Sequence, residues 1–411
     1  MALAPNGSSV YVARSSGGSF VVVARDALTG ERTWAARTPG PDGTQAFADA
    51  IAVSHDGSRV FVTGQVEWSF DTRSPMTVAY DASDGSRLWA AAPRVGDHRE
   101  VVPRRIVAAA GRVFVTGSRT GASGLDDFWD YWTVAYSAAT GVRRWQAIYA
   151  GPAHGGDTAE GIAVGAHGTR VFVTGTSAAG SDRDIATVAY DASDGSRLWA
   201  ARFTSDDDAF ATDVAATPEG SRVFVAGTAR ATRSDPQGFR LLAYDGATGG
   251  HPRVARFDDG TPDFAAALAL SADGTRAFVA GSGDQDVLTV AFDTSGTSAS
   301  WFAHYDGGHG VDAAFAVAVS PHGTRVDVAG SSDEGVDGCF GETPSTAFAT
   351  VEYRASNGDE RWVARYARMN RHPDQAAAVT ASPDRSMVFV AGDSDAQCGN
   401  GDVATVAYRT S

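Results

Sequence analysis

Hydrophobic and polar positions alternate with a period of two over short runs along the whole chain, and the runs are separated by Gly, Asp-Gly, Asn-Gly or Thr-Gly. A period of two sends successive side chains to opposite faces of a strand, and those dipeptides supply the positive φ that tight turns need. One motif is an apolar strand, a polar turn and a second apolar strand closed by glycine, as in IAVSHDGSRVFVTG at Ile51–Gly64. It recurs with closing glycines at Gly117, Gly175, Gly227, Gly281, Gly330 and Gly392, spaced 49 to 62 residues apart, and an earlier copy, MALAPNGSSVYVAR, ends at Arg14. A second motif alternates with it: TVAYDASDGSRLWAA at Thr77–Ala91, which returns at Thr187–Ala201. Together they predict a unit of four antiparallel strands, A to D, repeated eight times.

A four-stranded sheet cannot bury both of its faces alone, so such units stack face to face. The predicted fold is all-β: an eight-bladed β-propeller of four-stranded antiparallel blades, forming one domain over residues 1–411. Its units fall near 1–50, 51–105, 106–161, 162–213, 214–267, 268–316, 317–378 and 379–411. Trp34, Trp89, Trp145, Trp199, Trp301 and Trp362 hold one place on strand D, and Arg253 takes that place in unit five. These tryptophans read as packing between blades. Unit eight stops at Ser411 after strand C, so the last blade lacks its own outer strand in this chain. Because Met1 falls inside strand A of unit one, the missing strand is expected from a precursor extending upstream with a secretion signal. The alternative is a three-stranded last blade.

Composition narrows the function. With 43% hydrophobic and 20% charged residues a large core is expected, and 47 glycines suit many turns. The net charge is −15, and every basic residue other than histidine is arginine, because the chain contains no lysine. Such a surface argues against nucleic acid and anionic membranes as partners. No stretch is long and apolar enough for a helical membrane span.

The second motif matches the tryptophan-docking repeat of quinoproteins, A-x-D-x-x-T-G-x-x-x-W, in full at Ala24–Trp34, ARDALTGERTW. The chain therefore resembles the quinoprotein-like bacterial β-propeller repeat proteins over its whole length. That resemblance implies the fold. It implies pyrroloquinoline quinone weakly, since such enzymes commonly set an adjacent cysteine pair over the cofactor, whereas Cys339 and Cys398 stand 59 residues apart.

The A–B and C–D turns keep nearly constant length, so that end reads as structural. The B–C segments run from about 7 residues (282–288) to about 19 (331–349), and the D–A loops share their end. Function is expected there. Cys339 and Cys398 fall in B–C loops of adjacent units and are expected to form a disulfide, with free thiols as the alternative; a bridge implies an oxidising compartment. Trp68, Phe70, Phe128, Trp129, Tyr131 and Trp132 are candidates for a ligand surface for carbohydrate or an apolar partner, against local packing.

Histidines and acids punctuate the D–A loops: Asp97 with His98, His154 with Asp157, His309 with Asp312, His372 with Asp374, and Asp263 in unit six. The aspartates read as acceptors for their own loops. Acidic B–C loops make Asp182, Asp184, Asp393 and Asp395 candidate calcium ligands, although no complete calcium-loop signature is present.

The reading is a monomeric, secreted or surface-exposed binding or scaffold propeller, taking a protein or glycan on its B–C and D–A loops. The rival is an enzyme at the axial mouth, a quinone-type oxidoreductase or a hydrolase or lyase, using His98, Arg104, His154 and Glu160.

Overall fold

The computed structural model describes residues 1–69, 72–95, 99–120, 128–152, 155–250, 252–308, 310–337, 344–368, 374–395 and 401–410. Apart from two single 3-10 turns, Pro41–Gly43 and Ala166–Gly168, the regular structure among these residues is strand. Seven sheets have four antiparallel strands in chain order, and the eighth has three, Asp374–Ala381, Met387–Asp395 and Gly401–Arg409. This is the β-propeller class with eight blades, as the repeat predicts. The chain forms two compact bodies, Met1–Val223 with Tyr244–His251, and Phe224–Ala243 with Pro252–Ser411.

In both bodies strand B is buried on its two faces: Val60, Phe61, Val62 and Thr63 are fully covered in the first, as are Ala277, Phe278, Val279 and Ala280 in the second. The threonine of this strand meets a threonine of strand C in a buried hydroxyl pair, Thr63 with Thr77 at 3.0 Å, and Thr116 with Thr133 and Thr174 with Thr187 at 3.1 Å. Each pair satisfies two hydroxyls that would otherwise be costly to bury. The closing glycine follows from strand A, which bulges by one residue opposite it, between Ala48 and Ala50 in the second sheet. A Cβ at Gly64 would run into the Phe47 carbonyl oxygen, and Gly117, Gly175, Gly281, Gly330 and Gly392 meet the same obstacle.

The tryptophans dock one blade on the next. Indole Nε1 of Trp34, Trp89, Trp145, Trp199 and Trp301 donates to the carbonyls of Ala82, Ala138, Ala192, Gly246 and Ala355 at 2.9–3.2 Å. Under each ring lies a C–D turn glycine: Gly85, Gly141, Gly195, Gly249 and Gly358. All five have φ between 64° and 76°, and a Cβ there would stand 2.5–2.6 Å from indole carbons. Position and conformation both demand glycine.

The fifth unit departs in a matched way. Arg253 replaces tryptophan, and counting along the turn of the sixth unit places Thr297 where the glycine would be. Arg253 Nη1 donates to the Ser295 carbonyl, while Arg256 N donates to Thr297 O at 3.3 Å. Phe257 and Phe302 bring their rings to 4.8 Å alongside.

The B–C segments expected as loops are largely strand. In the seventh sheet Arg325–Asp337 and Pro344–Arg354 carry the hairpin past the closing glycine, pairing Ser331 with Phe348 and Asp333 with Thr346. The hairpins Arg59–Ser69 with Thr72–Asp81, and Arg170–Ala179 with Asp182–Asp191, are extended in the same way. In the sixth sheet Arg276–Gly283 and Asp286–Asp293 turn at once.

Candidate functional site

The bulge in strand A places one extra residue at the same position in successive sheets. In the first body these residues are Asp49, Arg104 and Glu160, on strands Gln45–Val53, Val101–Ala109 and Asp157–Gly165. Arg104 acts electrostatically on both carboxylates, and Arg105 also on Glu160. Burial pushes Asp49 up to about 7 against the pull of Arg104, and raises Glu160 against Arg104 and Arg105. Asp49 is open to water over its own surface but has protein through most of the surrounding volume, which explains how an accessible carboxyl is desolvated. Two carboxyls held toward neutral pH beside a guanidinium can exchange protons with a bound molecule. In the second body the bulged residues are Ala266, Phe315 and Ala377, which have no such chemistry.

Of the residues read as candidates for the enzyme, the structure thus brings Arg104 and Glu160 together and adds Asp49. That residue was missed because it looks like one polar position in an alternating strand; the bulge gives it away. His98 and His154 lie outside the described residues, as do Phe70, Cys339, Cys398, Asp97, His309 and His372.

The aromatic candidates separate. Tyr131 is fully buried, packs on Tyr149 at 5.3 Å and donates its hydroxyl to Ala186 O, so it is a core residue. Phe128 is exposed and Trp129 half-buried. Trp132, 2% exposed, lines a cleft of about 210 Å³ between the second and third sheets, together with Pro75, Arg94, Arg99, Arg119 and Arg143. Trp68 is half-buried beside it, with the Arg94 guanidinium 5.1 Å above its ring. Of the described aromatic candidates, Tyr131 therefore belongs to the core, Trp132 lines an arginine-rich cleft and Trp68 lies under Arg94.

The acidic candidates also separate. Asp184 is buried and accepts from Arg202 Nε at 3.0 Å, Arg202 Nη2 at 2.9 Å and Thr204 Oγ1 at 3.0 Å. Asp182 accepts from Ser181 Oγ at a strand start. Asp393 is exposed near the end of its strand, and the Asp395 side chain lies outside the described residues. A closer carboxylate group is Asp286, Asp306 and Asp312, whose oxygens lie within 4.8 Å of one another. His304 is 3.8 Å from Asp286 and 3.3 Å from Asp259. Burial, and next Asp306, raises the Asp286 carboxyl.

The aspartates that open strand A act as loop acceptors. Asp157 takes Gly151 N at 2.5 Å and the Ser177 hydroxyl, Asp312 takes Gly307 N and Asp333 N, and Asp374 takes Arg368 N. Each is fully buried, so these bonds offset the removal of its carboxyl from water.

Pyrroloquinoline quinone, which the quinoprotein resemblance implies, fits this donor set poorly. The sequence has no adjacent cysteine pair, and a quinone bearing three carboxylates would be set against Asp49 and Glu160.

These features define a β-propeller with docking tryptophans and charged residues on the strand A bulges of its first body. Residues 18–148 match the family model described as outer membrane protein assembly factor BamB, which agrees with the quinoprotein-like reading of the repeat. No curated protein sequence matches the chain. Among solved structures it is similar to Chaetomium thermophilum Sqt1 bound to the N-terminus of the ribosomal protein L10, at 14% identity and TM-score 0.64, covering 100% of this chain and 95% of that one. It is also similar to BamB from Moraxella catarrhalis (14%, TM-score 0.53, covering 97% and 98%) and to quinohemoprotein alcohol dehydrogenase from Comamonas testosteroni (14%, 0.55, 94% and 69%). At these identities the likeness is one of fold. No helix among the described residues is long and apolar enough to cross a membrane.

Proposed function

We propose that this protein is a binding or scaffold propeller that takes a protein partner at its B–C and D–A ends, outside the cytoplasm. The observation that carries the reading is the one-ended variation of the blades. Apart from the C–D turn of the sixth unit, the described A–B and C–D turns largely repeat the same hydrogen bonds, such as Gly57 N to Ser54 O and Gly85 N to Asp81 O, while the B–C hairpins differ by several rungs between sheets. Backbone that departs from a repeat at one end only, on a rigid support, is where recognition resides. The test is cross-linking mass spectrometry of the protein with partners captured from its own source. Cross-links concentrated at the B–C and D–A ends are expected, and cross-links concentrated at the A–B and C–D turns would overturn the reading.

A second reading is supported by the Asp49, Arg104 and Glu160 cluster, whose raised carboxyls suit acid–base catalysis of hydrolysis or elimination. A screen of ester and glycoside substrates tests it. Turnover abolished by both Asp49→Asn and Glu160→Gln is expected; turnover indifferent to both removes the cluster as an active site. Secretion is tested by non-reducing peptide mapping of the native protein, which detects a Cys339–Cys398 bridge or two free thiols.

A further inference from the structure

We propose that the outer strand of the eighth sheet, Gly401–Arg409, pairs with an extended segment of a partner protein that carries tryptophan and, three residues later, arginine. The inference goes beyond the binding reading above, because it concerns a sheet edge rather than the variable hairpins. Gly401–Arg409 pairs with Met387–Asp395 on one side, and no described strand pairs with it on the other. Its residues Thr405 to Tyr408, TVAY, repeat Thr187 to Tyr190 of the fourth sheet. Thr187, Val188 and Ala189 are 0% exposed there, whereas Thr405 and Val406 are half-buried and Ala407 is exposed. An edge with unpaired backbone groups and uncovered apolar side chains is a template for strand addition.

The sister sheets define the segment that fits. In five of them the alanine corresponding to Ala407 faces a strand D tryptophan, as Ala24 faces Trp34 and Ala189 faces Trp199. In four the indole lies 5.9 Å from a strand B phenylalanine, Phe61, Phe114, Phe172 or Phe278. Phe389 holds that position in the eighth sheet, opposite Ala407. Arginine follows at a fixed offset, as Arg37 follows Trp34, Arg202 follows Trp199 and Arg365 follows Trp362.

The eighth sheet also carries the acceptors for that arginine. In the fourth sheet Asp157, Ser177 and Asp184 form one row across strands A, B and C. Arg202 Nη1 donates to Ser177 Oγ at 2.6 Å, its Nε donates to Asp184 at 3.0 Å, and the serine hydroxyl donates to Asp157. Asp374, Ser394 and Asp402 form the same row in the eighth sheet. Asp374 and Ser394 are 0% exposed, yet Asp374 Oδ1 and Ser394 Oγ have no hydrogen-bond partner among the described residues. Arg368 engages the row from the D–A loop, with its backbone N donating to Asp374 Oδ2 at 2.8 Å and its Nη1 to Asp402 Oδ2 at 2.9 Å. A guanidinium arriving on a fourth strand would donate to Ser394 Oγ and turn the hydroxyl proton onto Asp374 Oδ1, the relay seen at Ser177. That relay relieves the cost of two buried polar atoms. A cationic segment also suits a chain of net charge −15.

The test is fluorescence anisotropy on the full chain with a labelled peptide, ERTWAARTP, the sequence of Glu31 to Pro39. Saturable binding is expected, weakened about tenfold or more by Trp34→Ala or Arg37→Gln in the peptide. In the protein, Ser394→Ala should weaken the parent peptide about tenfold and the Arg37→Gln peptide little, because serine and arginine act as a pair. Hydrogen exchange of the Gly401–Arg409 amides should slow when the parent peptide is added, with the other sheets unchanged.

Equal binding of a scrambled peptide overturns the proposal, as does binding that leaves exchange at Gly401–Arg409 unchanged. Outward amides of this strand that exchange slowly before any peptide is added overturn it in favour of an edge covered within the protein as isolated. Concentration-dependent dimers that protect the strand overturn it in favour of a second copy. A partner still cross-linked at the B–C ends of a protein whose edge takes no peptide removes the edge site while leaving the binding reading intact.

Discussion

A single glycine in each C–D turn supports two demands at once, a left-handed backbone and a flat seat for the preceding blade's indole. These demands can be measured apart. Gly195 has φ 76° and lies under Trp145, whereas Gly30 has φ 73° with no atom within 4 Å of where a Cβ would go. Gly30→Ala should cost about 1 kcal/mol from backbone strain alone. Gly195→Ala should cost roughly 2–4 kcal/mol, because overpacking against the ring is added. Denaturant midpoints at constant slope decide the matter, and equal losses would refute the seat. Trp145→Phe should cost about 1–3 kcal/mol, since it strands the Ala192 carbonyl. The tryptophans were legible in the sequence because they recur at one offset. Their seats were not, because Trp145 and the carbonyl it binds are 47 residues apart and belong to different copies of the motif. The pairing of Asp327 with Glu352 in the buried middle of the seventh sheet was likewise overlooked, although each stands out against the Phe and Ala of sister units.

At the level of strands and hairpins, the departures are mutually adjusted. Arg253 and Thr297 replace tryptophan and glycine on the two sides of one junction, so the change on either side makes sense only with the other. Arg253→Trp alone should destabilise the protein by about 1–3 kcal/mol by driving an indole against the Thr297 side chain. Adding Thr297→Gly should recover much of that loss, giving a coupling energy of at least about 1 kcal/mol in a double-mutant cycle. Additive effects would show that the two positions do not meet. Strand order and turn positions followed from periodicity, but the strand A bulges did not. One extra residue in an alanine-rich strand barely disturbs the alternation, and it is that residue which carries Asp49, Arg104 and Glu160. The long B–C segments were read as loops because polar residues interrupt their alternation, yet cross-strand pairing continues through them.

The pH dependence of folding belongs to the molecule as a whole. Burial lifts Asp49 and Asp263 to about 7, and burial together with Glu352 raises Asp327, whereas the unfolded chain releases these protons near 3.8. The folded state therefore holds more protons than the unfolded state between those values. Their contribution to stability is complete below about 3.8 and is lost as pH rises through about 7. Urea midpoints should accordingly fall from pH 4 to pH 7, and Asp263→Asn should flatten the slope; a midpoint that rises over this interval in the parent and is unchanged in the variant would contradict the assignment. The matched junction has one more consequence, for how the chain finds its order. The hairpins at Thr77–Ala91 and Thr187–Ala201 are the same residue for residue, so the indoles of Trp34 and Trp145 cannot tell their proper seats apart. A chain of interchangeable parts risks closing on the wrong neighbour. At the junction of Arg253 with the Ser295 carbonyl neither the tryptophan nor the seat glycine is on offer, so this junction differs from the interchangeable ones and an indole from another repeat has no flat seat there.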